Sequence, residues 1–157
     1  MSLFWIYSSA APATCQSGCD CSEDWLDCKG LSASASSLTI QKQNFLFINA
    51  SSFPQQSYSN LKIFSIISCE NLYHLESTVL DKFPALEKLV ITNTGISNFP
   101  AFQMSMNSLS NIDLYSNNID HIRDDHFTLV PSLQYLNLAD NNIKHVGTKA
   151  LQGNNSD

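Results

Sequence analysis

The stretch "NIDLYSNNIDHI" (residues 111–122) is followed shortly by "QYLNLADNNIKHV" (residues 134–146). Both carry an aliphatic residue on every second or third position, then a pair of asparagines, then a histidine. Three readings compete: one strand of an ordinary sheet, a chemical site, or one turn of a repeated unit. Aligning the chain with itself separates them, because a fixed period in the sequence is the mark of a repeat architecture.

The segments "LEKLVITNTGI" (86–96), "LSNIDLYSNNI" (109–119) and "LQYLNLADNNI" (133–143) superimpose without gaps, with aliphatics at positions one, four, six and eleven. "LKIFSIISCENL" (61–72) fits with one inserted residue, and a degenerate copy, "ASSLTIQKQNF" (35–45), keeps Leu38, Ile40 and Phe45 in register. Starts at residues 61, 86, 109 and 133 give a period of 23 to 25. The second half of each copy is regular as well. Ile48, Leu75, Phe99, Ile122 and Val146 are followed five places later by Phe53, Leu80, Met104, Phe127 and Leu151, predicting a second inward column.

Each short aliphatic core reads as a strand with two residues pointing inward, pairing in parallel with the next copy at about 4.8 Å. The chain must then turn sharply, and the ninth position, filled by Gln43, Cys69, Thr94, Asn117 and Asn141, falls in that turn. An asparagine there has both a donor and an acceptor for buried backbone groups. The same register predicts a buried Cys69 thiol.

Cys15, Cys19, Cys21 and Cys28 cluster as C-x3-C-x-C-x6-C in "CQSGCDCSEDWLDC". Four close thiols suit either two disulfides or a zinc ion, and spacing alone leaves three pairings open. Upstream, "MSLFWIYSSAAPA" (1–13) combines an apolar run, residues 3–7, with a small-x-small end, the form of a secretion signal. Export to an oxidising compartment favours disulfides.

The L-x-x-L-x-L-x-x-N-x-L pattern resembles the leucine-rich repeat, and the cysteine cluster before it resembles the N-terminal cap of extracellular members, whether receptor ectodomains or secreted proteins. The resemblance spans residues 15 to about 153. It implies an α/β solenoid: a short right-handed horseshoe with a parallel β-sheet on the concave face, an irregular or briefly helical convex side and a disulfide-bonded N-terminal cap. It also implies pairing of Cys15 with Cys21 and of Cys19 with Cys28. The expected organisation is a signal peptide over 1–13, the cap over 14–35 and about five repeats over 36–157. Leu133, Leu136, Leu138 and Ile143 have no following copy to cover them, and no second cysteine cluster closes the chain. The sequence therefore predicts a missing C-terminal cap and a piece of a longer protein.

In 157 residues, acids outnumber bases 14 to 8, and Arg123 is the sole arginine. No Lys/Arg cluster suits a phosphate backbone, so nucleic acid is not an expected partner. No segment is apolar over the roughly 18 residues a membrane span requires. No nucleophile elbow, metalloprotease helix or glycine-rich phosphate loop is present, so no enzyme activity and no cofactor are expected. His74, His121 and His145 fall two places after the eleventh-position aliphatic, and His121 and His145 fall on adjacent copies. A metal site at these two histidines with Asp120 is the sharper reading and a polar loop column the plainer one; the expectation is no metal. Asp124 and Asp125 read as the start of a helical turn.

The remaining expectation is a protein partner, a ligand or receptor, bound through the concave face. Positions three, five and seven face that side. The candidate contacts are Ile63, Ile67, Lys88, Asn111, Asp113, Tyr115, Tyr135 and Asn137, with the tyrosines as anchors. An accessory subunit of a secreted enzyme is the alternative. Asn49 in "NAS" and Asn154 in "NNS" have the form of glycosylation acceptors.

Overall fold

The computed structural model describes the backbone of residues 14–15 and, in full, residues 18–21 and 26–150. Five parallel strands, one per repeat, form the concave sheet: Ser37–Gln41, Ile63–Ile67, Lys88–Thr92, Asn111–Asp113 and Tyr135–Asn137, here rungs one to five. They pair in sequence order, with Leu38 beside Phe64, then Leu89, Ile112 and Leu136. Thr14–Cys15 adds an antiparallel strand beside rung one. The solenoid expected from the repeat is therefore present.

Stacking rather than local propensity creates the core. A single rung cannot enclose its two inward aliphatics, so each depends on its neighbours for burial. Leu38, Ile40, Phe64, Ile66, Leu89, Ile91, Ile112 and Leu114 are fully buried. Beneath rungs one to three, Phe53, Tyr58, Phe64 and Phe83 meet largely edge to face, with Phe53 and Phe83 centroids 5.1 Å apart. Leu133, Leu136, Leu138 and Ile143 of rung five are only partly buried, since no described rung lies beyond them.

Every rung leaves its strand through a non-glycine residue with left-handed backbone: Lys42, Ser68, Asn93, Ser116 and Asp140, with φ between 52° and 55°. Such a conformation costs about 1–2 kcal/mol in L-residues other than glycine, less in Asn and Asp, and so must be held by its surroundings. Two sets of bonds hold it. The amide of the left-handed residue donates to the next rung, from Lys42 to Ile67, Ser68 to Thr92, Asn93 to Tyr115 and Ser116 to Ala139, at 2.9–3.1 Å. The ninth-position side chain then reaches back. Asn117 Nδ2 donates to the carbonyls of Ile91 (2.7 Å) and Leu114 (2.9 Å), while its Oδ1 accepts from the Thr94 amide and hydroxyl. Asn141 repeats this with Leu114, Leu138 and the Ile119 amide.

The earlier rungs depart from asparagine, and the Cys69 thiol also meets the backbone of Lys42 and Gln43 on the rung before it. Gln43 Nε2 donates to the carbonyl of Gln41 within its own turn, and the Cys69 thiol lies 3.7 Å from that of Ile67. Cys69 is a free cysteine and fully buried. Burial raises its pKa, which suppresses the reactive thiolate.

The outer side is mostly irregular. A 3-10 turn spans Ala50–Ser52 and a single α-helical turn Ser77–Leu80. Asp124 and Asp125 start no helix; residues 124–129 form turns. Asp124 instead accepts the Lys149 amide at 2.8 Å and ties rung five to rung four. Among the described residues, the regular second half of the repeat breaks at Val146, 53% exposed on rung five, and at Met104. Met104 is 39% exposed, while Phe102 and Met106 are buried. Its five-residue offset presumes a turn like Ser77–Leu80, whereas 100–105 carries no helix, so which residue points inward changes.

At the N-terminal end, Asp20–Cys21 pairs antiparallel with Leu26–Asp27, and Leu26, Cys28 and Leu31 are buried with the rungs. Cys19 and Cys28 form a disulfide. Cys21 is disulfide-bonded too. The Cys15 side chain, the segment 1–13 and residues 151–157, with Leu151 and Asn154, lie outside the described residues.

Asn117 satisfies buried groups on two rungs. Asn117→Ala is expected to cost about 2–4 kcal/mol in urea unfolding, because donors and acceptors remain buried without partners. Asn141→Ala, at a half-exposed site, is expected to cost less than half as much.

Candidate functional site

The concave sheet presents alternate residues of each rung in aligned columns, because parallel pairing keeps the register. Ile63, Lys88, Asn111 and Tyr135 form one column, and Ser65, Val90, Asp113 and Asn137 another. Ile63 (39%), Tyr115 (38%) and Tyr135 (48%) are the exposed large apolar side chains there, and Lys88 is exposed among them. Ile67 is half-buried. Ser65 and Thr92 sit on the same face but are covered by their neighbours.

The polar candidates divide. Asp113 Oδ1 accepts the Tyr115 amide (3.1 Å) and the Asn137 side-chain amide (3.0 Å), and Asn137 Oδ1 accepts the Ala139 amide (3.1 Å). Asn111 Oδ1 accepts from the Ser110 hydroxyl. Asp113 and Asn137 thus close the ends of short strands, a role that spacing does not reveal. The Asp140 carboxylate beside the Tyr115 hydroxyl raises the phenol pKa. The concave side chains with no such strand-closing role are mainly Ile63, Val90, Tyr115 and Tyr135, with Lys88 as the cation among them.

The histidine column occupies a different, lateral face. Two short parallel pairs run there, Phe47–Ile48 with His74–Leu75 and His121–Ile122 with His145–Val146. The His121 and His145 rings stack at 4.8 Å, and His121 Nδ1 lies 2.7 Å from Asp120 Oδ1. The hydrogen bond from His121, with the neighbouring Lys144, holds the Asp120 carboxyl below its usual pKa. Stacked rings do not converge their nitrogens on one point. Among the described residues no group of three or more His, Cys, Asp or Glu side chains is placed to hold a metal ion.

Between the two lateral pairs lies a groove of about 320 Å³, which sequence reasoning did not anticipate. Tyr73, His74, Glu76, Phe99, Arg123 and His126 are among its walls. Pro100 was the available signal, since a residue without an amide hydrogen interrupts a ladder. Asn49 lies on the same side, where its Oδ1 accepts from the Ser51 amide and hydroxyl, capping the 3-10 turn.

Residues 107–156 match the protein family described as "Leucine rich repeat". No curated protein matches the chain. The parallel solenoid, its ladder and this match together identify the fold as a leucine-rich repeat solenoid, an architecture that generally serves protein–protein interaction. No described helix is long and apolar enough to cross a membrane.

Replacing Asp113 by alanine is expected to lower stability by about 1–2 kcal/mol, through loss of the Tyr115 and Asn137 bonds. Tyr135→Ala is expected to change it by less than about 0.5 kcal/mol, because the ring is half exposed. Paired urea melts of the two variants make the comparison.

Proposed function

We propose that this chain is a non-catalytic, extracellular interaction module that binds a protein partner through its concave face. The observation that carries this reading is the row of exposed Ile63, Tyr115 and Tyr135 on a sheet held rigid by its neighbours. Large amphipathic side chains on a preorganised surface lose little entropy on binding and often anchor interfaces. Lys88 would contribute the charged contact and Ile67 part of the apolar one. Asn111, Asp113 and Asn137 would shape the surface more than they bind.

Extracellular placement is supported by the Cys19–Cys28 disulfide, since such bonds persist in oxidising compartments. The N-terminal hairpin would serve as the cap that shields rung one. Asn49 would carry a glycan: its Oδ1 is occupied by Ser51, while the acceptor nitrogen is Nδ2.

Affinity capture on the intact chain from secreted material, followed by identification of the retained protein, tests the reading. With that partner, Tyr115→Ala and Tyr135→Ala are each expected to weaken binding by about 1–2 kcal/mol, roughly 5- to 30-fold in Kd. Unchanged affinity in both variants would move the interface away from the concave sheet. Expression through the secretory pathway is expected to give a product that loses mass on peptide N-glycosidase treatment, and Asn49→Gln to remove the Asn49 share of it.

A further inference from the structure

The lateral face gathers all four histidines of the chain: His74, His121 and His145 in the column, and His126 packed against Phe99. The lateral ladder is interrupted around rung three. Glu76 donates its amide to Ile48 O (2.9 Å) and Gly147 to Ile122 O (2.7 Å), but the matching residue of rung three is Pro100, which has no amide hydrogen. One rung further on, the matching amide is that of Arg123. It donates to His126 Nδ1 at 3.2 Å. A side chain thus takes the place of a ladder carbonyl.

The same imidazole lies flat on Phe99, with centroids 4.8 Å apart and planes 16° from parallel. Phe99 in turn meets Phe127 edge to face at 5.0 Å. His126 thus ties the start of the outer loop to rung three, while Phe127, the bond from the Met106 amide to Leu129 O and the buried Val130 hold its later part. To accept from Arg123, its Nδ1 must be unprotonated, with the ring proton on Nε2.

We propose that this bond is an acid-sensitive latch: protonation of His126 at Nδ1 replaces an acceptor with a donor, breaks the bond from the Arg123 amide and loosens the turn 123–126, while Phe127, Leu129 and Val130 keep the rest of the loop on rung three. The charged and titratable surroundings favour release in mild acid. On its own loop, Arg123 opposes the imidazolium, and Asp125, which favours it, is already paired with Arg123 at 3.1 Å. Across the groove stand His74 and Glu76 on rung two, while His121 with Asp120 lies on rung four and His145 and Lys144 on rung five. Glu76 is tied to the Ala50 amide.

Burial first, then Arg123, lowers the His126 pKa in the folded chain. The unfolded chain therefore binds this proton more readily. The contribution to stability is complete above the usual histidine pKa of about 6.5 and is lost as pH falls from there toward the lowered folded value.

Hydrogen exchange on the intact chain at pH 7.5 and 5.5, corrected for intrinsic rates, tests the latch. Protection of amides 123–126 is expected to fall by about tenfold at the lower pH, with amides 62–68 unchanged. His126→Phe keeps the stack but removes the acceptor, so protection of the Arg123 amide is expected to be low at both pH values. The double variant His121→Gln/His145→Gln is expected to retain the wild-type response. Equal protection of 123–126 at both pH values, or the same pH response in His126→Phe, overturns the proposal. If His126→Phe does not fold, an NMR titration of the wild type decides instead. The His126 ring and Arg123 amide signals are expected to move with one shared midpoint, and an Arg123 amide that does not follow overturns the latch.

Discussion

Each concave strand ends in a residue forced into the left-handed region, and the rest of the solenoid depends on that turn. Lys42, Ser68, Asn93, Ser116 and Asp140 adopt it with no glycine among them. A lone repeat would pay this cost together with the desolvation of its turn. Stacked, Lys42, Ser68, Asn93 and Ser116 donate forward to the next rung, and Asn117 and Asn141 bond backward to the previous one. Cooperativity between rungs follows from that reciprocity, since removing a rung strands polar groups on both sides.

The ladder is graded along the chain. Asn117 and Asn141 span two rungs, Thr94 is bonded by Asn117, and Gln43 bonds within its own turn while the Cys69 thiol lies among the backbone groups of Lys42 and Gln43 as well as Ile67. In the first half, the aromatic cluster of Phe53, Tyr58, Phe64 and Phe83 provides dispersion and burial where the polar ladder is weak. Large rings and a side-chain ladder are thus two solutions to one problem, the joining of rungs that cannot fold alone.

The same rigidity divides the surface into faces with different chemistry. The concave side is flat, regular and occupied by Ile63, Tyr115 and Tyr135. The lateral side is interrupted, because Pro100 cannot continue its ladder, and the gap collects Phe99, His126, Arg123 and the flanking histidines. Recognition suits the regular face, since its columns are fixed by backbone pairing. Sensitivity to protons suits the irregular one, where a side chain stands in for a backbone acceptor.

Period, strand positions and inward aliphatics were legible in the sequence because stacking imposes the same burial requirement every 23 to 25 residues. The ladder role of Asn117 and Asn141, the burial of Cys69 and the adjacency of His121 and His145 follow from register alone. Other features were decided only by tertiary structure. Met104 turns outward while Phe102 and Met106 turn inward, because an irregular segment lacks the fixed offset of a helix. Asp113 and Asn137 are engaged in closing their own strands, which depends on side-chain direction rather than position. His126 meets Phe99 and the Arg123 amide through an outer loop whose path the repeat does not fix. Repetition records what every rung must satisfy, whereas its local exceptions are settled by contacts between residues whose spacing carries no signal.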